Sequence, residues 1–501
     1  MTQLMFAVLV VCCMLAVIDW RKGLVICVLV GISQDPLRKL APGQPVYYVV
    51  FVGLVFAVTW VRAAMLGVPL TPKVIHDWKR HLQLPFSVFV AIVVAQAFHS
   101  YARYGSAFMT GIGLLVWLAP LPAVMLAYQF AVRRGLLGVR QWMLFYVPVA
   151  LVSLSGVYFE YVGYDWRTLG EIGEGQVIYD VGTILKAHSG FFRSSEIAAW
   201  HTATIACFVF ILSIGKRPTV FRVAGALLMI CVLVGLGILT GRRKMLVEIT
   251  VFLSIYMFLV AWLQRGAARL AVAVLMIGAM GYVAVVGFVD PDPVQRTYSR
   301  QAMDAHRMET YAARSQTVFA DLPRRFNELG VQPIMWSIGT YGWLGAGLGT
   351  GSQGTNAIAE SHNLDRSAAE GGLGKITMEL GLPGLMAGVW LLFALGKHLQ
   401  RQLVATARLS PQHARVSYGL LGFLVANVAT FSVATQAYSD LFILLIIGWM
   451  FGFLFAMPVL AASGDSTRRR ARRPAPVLMP DYGFAPTQGS AASLPAGQSA
   501  R

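Results

Sequence analysis

The chain has 501 residues, of which 57% are hydrophobic and 13% charged, and its formal net charge is +18. Apolar runs of about twenty residues, the length that crosses a hydrocarbon core of roughly 30 Å, exclude a soluble globular domain. Their continuity, without strict alternation, excludes a β-barrel. In such a chain the surplus of Lys and Arg reads as the bias of short cytoplasmic loops and not as a nucleic-acid surface.

Taken in order, the apolar segments lie near 4–18, 23–33, 47–66, 83–99, 107–131 and 141–158, then at 196–214, 219–240, 245–263, 267–289, 379–396, 416–436 and 440–461. The second is too short to span, so the expected fold is all-α, a polytopic bundle of about twelve helices. The first run lacks the basic flank of a signal peptide and reads as a retained helix. Cys12, Cys13, Cys27, Cys207 and Cys231 all fall in apolar runs without metal-ligand spacing, so neither a disulfide frame nor a metal site is expected.

The chain divides into N-terminal membrane helices (1–289, with an external loop at 159–195), a large external loop (290–378) and C-terminal membrane helices (379–462). A basic tail (463–501), rich in Arg, Pro, Ser and Gly, is expected to be disordered. The run Arg468, Arg469, Arg470, Arg472 and Arg473 places that tail in the cytoplasm. Counting back from it makes the basic loops at 397–415, 263–269, 215–218, 133–140 and around Lys73 cytoplasmic, and the loops at 159–195 and 290–378 external.

The same count puts LTGRRKM (239–245) outside, where the bias disfavours positive charge. Arg242, Arg243 and Lys244 at this tight turn are candidates to hold an anion such as phosphate; a locally tolerated exception to the bias is the plainer reading. Residues 294–321 contain neither Gly nor Pro and read as a helix. At about 100° per residue, Arg296, Arg300, Arg307 and Arg314 fall at roughly 0°, 40°, 20° and 0° on it, a one-sided stripe suited to an elongated anion. Asp304, Glu309 and Asp321 could neutralise part of it.

After a Gly-rich segment (339–354) comes the polar stretch SHNLDRSAAEGGLGKITMELGLPG (361–384), leading into a helix that begins near Gly381. Glycine density of this kind suits either a flexible connection or an anion-binding nest of amides. AEGGLGKIT is not a P-loop, because Ala369 replaces the first Gly, Ile376 replaces the Mg²⁺-binding hydroxyl and no strand precedes it. The DPD at 290–292 suits a helix boundary better than a metal site.

LTGRRKM (239–245), GAGLGTG (345–351), SHN (361–363) and MELGLPGL (378–385), set in a multi-helix chain with one large late external loop, resemble the O-antigen ligase and O-antigen polymerase superfamily. The resemblance covers roughly residues 200–460. It implies a bacterial inner-membrane glycosyltransferase that uses an undecaprenyl-diphosphate-linked oligosaccharide at the periplasmic face without metal, ATP or other cofactor. An acceptor hydroxyl on a glycan or lipid would attack the anomeric carbon while lipid diphosphate leaves. His362, Glu370 and Glu379 are the candidate proton acceptors. Lys375 joins the arginines as a candidate for the phosphate site, and other polysaccharide-assembly proteins are further candidate partners.

His362 precedes Glu379 by seventeen residues, with Glu370 between them, which departs from the ligase pattern and favours a polymerase. A ligase acting on lipid A core or protein is the alternative within the class. A transporter or flippase of lipid-linked glycan is the alternative outside it, although no internal repeat or midplane charge pattern supports one.

Overall fold

The computed structural model describes residues 2–172, 177–180, 183–214, 220–263, 324–352 and 354–472. Thirteen helices of ten residues or more carry the fold among these residues: α1 (Thr2–Ile18), α2 (Trp20–Leu40), α3 (Phe51–Met65), α4 (Gln83–Tyr104), α5 (Ala107–Leu118), α6 (Pro120–Val162), α7 (Ser195–Ser213), α8 (Val220–Leu239), α9 (Lys244–Leu263), α10 (Gln332–Tyr341), α11 (Gly372–Leu409), α12 (Pro411–Val433) and α13 (Leu441–Arg472). The loop after α6 adds one antiparallel hairpin, β1 (Val177–Asp180) with β2 (Thr183–Lys186), in the register Val177 opposite Lys186 and Asp180 opposite Thr183. Among the described residues the regular structure is therefore helical apart from this hairpin. Among the described residues seven helices are long and apolar enough to cross a membrane, which makes it a multi-pass membrane protein.

Several boundaries differ from the sequence expectation, each for a local reason. The segments expected at 107–131 and 141–158 belong to one 56-residue helical stretch, 107–162, roughly 84 Å of helix and too long for one crossing. It breaks at Gly135, whose φ of 70° and ψ of −173° kink the helix. The helix expected from Gly381 begins at Gly372; Gly381, at φ 69° and ψ −175°, is a kink inside it. The tail expected to be disordered from 463 is helical as far as Arg472.

The most instructive difference is α2, where the apolar run at 23–33 was judged too short to span. The helix continues through Gln34, Asp35, Pro36 and Lys39, and the charged groups of Asp35 and Lys39 meet partners. Arg193 lies half-buried between two carboxylates, with Nη2 at 2.6 Å from Asp440 and Nη1 at 3.5 Å from Asp35. The Lys39 ammonium donates to the carbonyls of Gly190 (2.8 Å) and Phe192 (2.5 Å). At its other end α2 meets a different set, with Arg133 over the Trp20 ring at 5.8 Å and Arg134 3.9 Å from Asp19. A helix of 21 residues, about 32 Å long, thus joins the two ends of the bundle.

The core is built where α6 crosses α13. Gly448 and Gly452, four residues apart, let the two backbones approach, and a Cβ at Gly448 would sit 2.6 Å from the Pro120 carbonyl oxygen. Small residues at this spacing are how membrane helices gain close packing without a hydrophobic drive between them. Beside the contact Trp142 stands edge-on to Trp449 with ring centroids 5.3 Å apart, and both are buried. This rigid centre fixes α7, α9, α11 and α12 around it, so that the N-termini of α7, α9 and α11 and the turn between α12 and α13 converge at one end of the bundle.

Candidate functional site

At that end a cleft of about 200 Å³ is lined by Arg242, Arg243, Lys244 and Arg325 together with Glu196 and Glu370. The basic triplet is held by a turn after α8. Gly241 takes φ 70°, the Thr240 hydroxyl donates to the Gly237 carbonyl at 2.6 Å, and the Arg242 amide donates back to that hydroxyl at 3.3 Å. Three consecutive cations therefore enter the cleft from one tight corner.

Glu196, in the first turn of α7, arranges two of them. Arg242 Nη1 lies 2.8 Å from Glu196 Oε1, and the Lys244 ammonium pairs with Oε2 of the same carboxylate. Arg242 Nε also donates to the Ser195 hydroxyl at 2.9 Å, and Lys244 reaches Gln436 Oε1 at 3.2 Å. Ser195 Oγ in turn lies 3.4 Å from Glu171. Burial pushes the Glu171 carboxyl above the usual carboxylate range, while Arg242 pulls it back. With four basic groups against two acidic ones, the cleft keeps a net positive lining that suits a multiply charged anion.

Behind the cleft the Gly-rich segment and the start of α11 form a packed layer. Residues 345–352 are buried, so this part of the connection is a plug in the bundle and not a loose tether. Gly345 has φ 76°, and a Cβ there would sit 2.6 Å from the Met378 carbonyl oxygen, so only glycine fits. Glu379 is fully buried and accepts three hydrogen bonds, from Trp117 Nε1 (2.6 Å), the Gly351 amide (3.0 Å) and the Ser352 hydroxyl (2.9 Å). Lys375 is also buried and donates to the Ser439 hydroxyl at 3.4 Å. Arg366 donates to the Ser352 carbonyl at 2.5 Å and closes the layer from the loop side.

The structure thus brings Arg242, Arg243, Lys244 and Glu370 into one cavity, whereas Lys375 and Glu379 are buried in α11 outside its lining. His362 lies apart from the cleft lining; it is exposed and its ring stands edge-on to Tyr104 at 5.1 Å. The expected stripe of Arg296, Arg300, Arg307 and Arg314 lies outside the described residues. Sequence reasoning missed Glu196, Glu171 and Arg325. The signal for Glu196 was present, because Ser194 before the apolar run caps α7 by accepting from the Ile197 amide at 3.4 Å, which places the acid in the first turn. Among the described residues no group of three or more His, Cys, Asp or Glu side chains could hold a metal ion.

The fold and the cleft define the class of the molecule: a multi-pass helical membrane protein with an anion-suited cavity at one end of its bundle. No protein-family model matches the chain, and no curated protein matches it either.

Proposed function

We propose that the protein is a glycosyltransferase of the bacterial inner membrane that polymerises glycan from an undecaprenyl-diphosphate-linked oligosaccharide at the periplasmic face. The observation that carries the reading is the cleft, which Arg242, Arg243, Lys244 and Arg325 line together with Glu370 at one end of a membrane bundle. A diphosphate fits that lining because fixed cations compensate the charge that grows on its leaving oxygen. The acceptor hydroxyl attacks the anomeric carbon and passes its proton to the Glu370 carboxylate; the bond from that carbon to the diphosphate breaks, and the lipid diphosphate leaves with the electron pair. Glu370 is preferred to His362 and Glu379 as the base, since His362 stands off the cleft and Glu379 is fully engaged by three donors.

In this reading the bundle has about thirteen crossings, the twelve expected from the sequence with α2 added, a large periplasmic loop at 290–378 and a cytoplasmic C-terminus. The acceptor is a second lipid-linked repeat. The test is purified full-length protein with lipid-linked repeat, comparing wild type with Arg242→Ala and Arg243→Ala. Each variant should lose about a hundredfold in rate, and full activity in both would sink the assignment. A deletion strain separates polymerase from ligase: loss of long polymer with a single repeat still displayed supports the polymerase, whereas loss of all attached glycan selects the ligase.

A further inference from the structure

Far from the cleft, α11 carries a second pair of cavities. One, of about 240 Å³, is lined wholly by apolar groups, among them Trp78, Phe86, Leu391, Leu395, Phe451 and Phe455. The other, of about 280 Å³, is lined by Arg80, His81, Trp390, Lys397, His398 and Arg401, together with Phe393 and Ala394. The two are successive along the same elements. Leu395 faces the apolar cavity and His398, one turn or about 5 Å further along α11, faces the basic one. The single turn Trp78–His81 does the same, with Trp78 in the first and Arg80 and His81 in the second.

Position and charge identify an occupant. α11 begins beside the cleft at Gly372, kinks at Gly381 and runs on for roughly 24 Å to Lys397, where the basic segment 397–415 opens on the side opposite the cleft by the charge bias of membrane loops. The basic cavity therefore sits at the head-group level of the opposite leaflet, and the apolar one reaches from it into the hydrocarbon. Trp390 and Phe393, 43% and 71% exposed, flank the opening as interfacial aromatics do. No residue lining either cavity is acidic, and the Asp77 carboxylate close by is paired with His76 at 3.1 Å. Arg401 Nη1 donates a hydrogen bond to His81 Nε2 at 2.5 Å, which holds the guanidinium in the basic cavity.

We infer that this pair of cavities is a binding site for one anionic phospholipid of the leaflet opposite the cleft, with its phosphate among Arg80, Lys397 and Arg401 and an acyl chain in the groove between α4, α6, α11 and α13. The site is independent of the transfer reaction. Native mass spectrometry of the delipidated full chain, titrated with equimolar phosphatidylglycerol and phosphatidylcholine, tests it. One phosphatidylglycerol should be retained in preference to phosphatidylcholine. Lys397→Gln with Arg401→Gln should weaken that retention roughly thirtyfold, and Leu395→Trp, which fills the groove, should abolish it. Lys397→Arg with Arg401→Lys keeps both charges and should keep the lipid, which separates lost attraction from lost folding. Unchanged retention in the glutamine pair and in Leu395→Trp would overturn the inference. So would an equal loss in Arg133→Gln with Arg134→Gln at the same end of the bundle, which would mean diffuse attraction. Displacement of the lipid by inorganic phosphate alone would also overturn it, by assigning the site to a free anion.

Discussion

Glu370 and Glu379 are nine residues apart in one polar stretch, yet they live in opposite regimes. Glu370 lines a cleft beside four cations, with its side chain exposed. Glu379 is fully buried, and its carboxylate is engaged by an indole, an amide and a hydroxyl that tie α5 and the Gly-rich plug to α11. The difference teaches that polar density in a hydrophobic chain marks two distinct needs. One is a charged surface for a ligand; the other is the internal satisfaction of backbone that must pass through the bundle where water cannot serve it.

Substitutions can break or sharpen that contrast. The largest effect is expected in the cleft: Glu370→Gln should lower the transfer rate by about 10²- to 10⁴-fold, with the melting temperature unchanged. An unaltered rate would move the proton acceptor elsewhere. In the plug the reverse is expected. Glu379→Ala leaves three buried donors without an acceptor and should destabilise the folded protein by at least about 3 kcal/mol, read as a lower melting temperature in detergent. If Glu379→Ala instead retained full stability while losing activity, the assignments of the two glutamates would exchange.

His362→Ala tests the boundary between the regions. An exposed ring outside the cleft should change both rate and stability by no more than about twofold, and a larger loss of rate would bring the loop into the chemistry. The smallest effect concerns Glu171. Because burial raises its carboxyl, the stability it contributes is present below the ordinary carboxylate value of about 4.3 and fades as the pH rises through the raised folded value. Glu171→Gln should flatten that part of the melting profile, and an unchanged slope would show that Arg242 already compensates the charge.

Much of this architecture was legible in the sequence, because continuous apolar runs can only become membrane helices. The basic triplet was legible for a related reason, since three adjacent cations at a tight turn must face something polar. What escaped was set by partners distant in sequence. α2 looked too short because Asp35 and Lys39 are favourable in the bundle only once Arg193, Gly190 and Phe192 are beside them. Glu196 escaped because its significance lies in Arg242 and Lys244, more than forty residues away. The Gly-rich segment could be read as tether or as nest; its burial follows from the shapes of α4, α5 and α11, which no local pattern encodes.

The Asp35, Arg193 and Asp440 cluster bears on how the chain is made. Its members lie near the beginning, the middle and the end of the polypeptide, some 400 residues apart at the extremes, so at roughly 5 to 20 residues per second a ribosome needs on the order of 20 to 80 s to deliver the last after the first. During that interval α2, which is not among the seven segments apolar enough to cross a membrane by themselves, must be shielded by the insertion machinery or wait at its edge. Arg193 is held by Asp35 alone, at 3.5 Å, until Asp440 emerges at the head of α13 and makes the shorter contact at 2.6 Å. A nascent chain that stops short of that point leaves Arg193 with only the longer of its two carboxylate contacts, so the cluster closes last, at the head of α13.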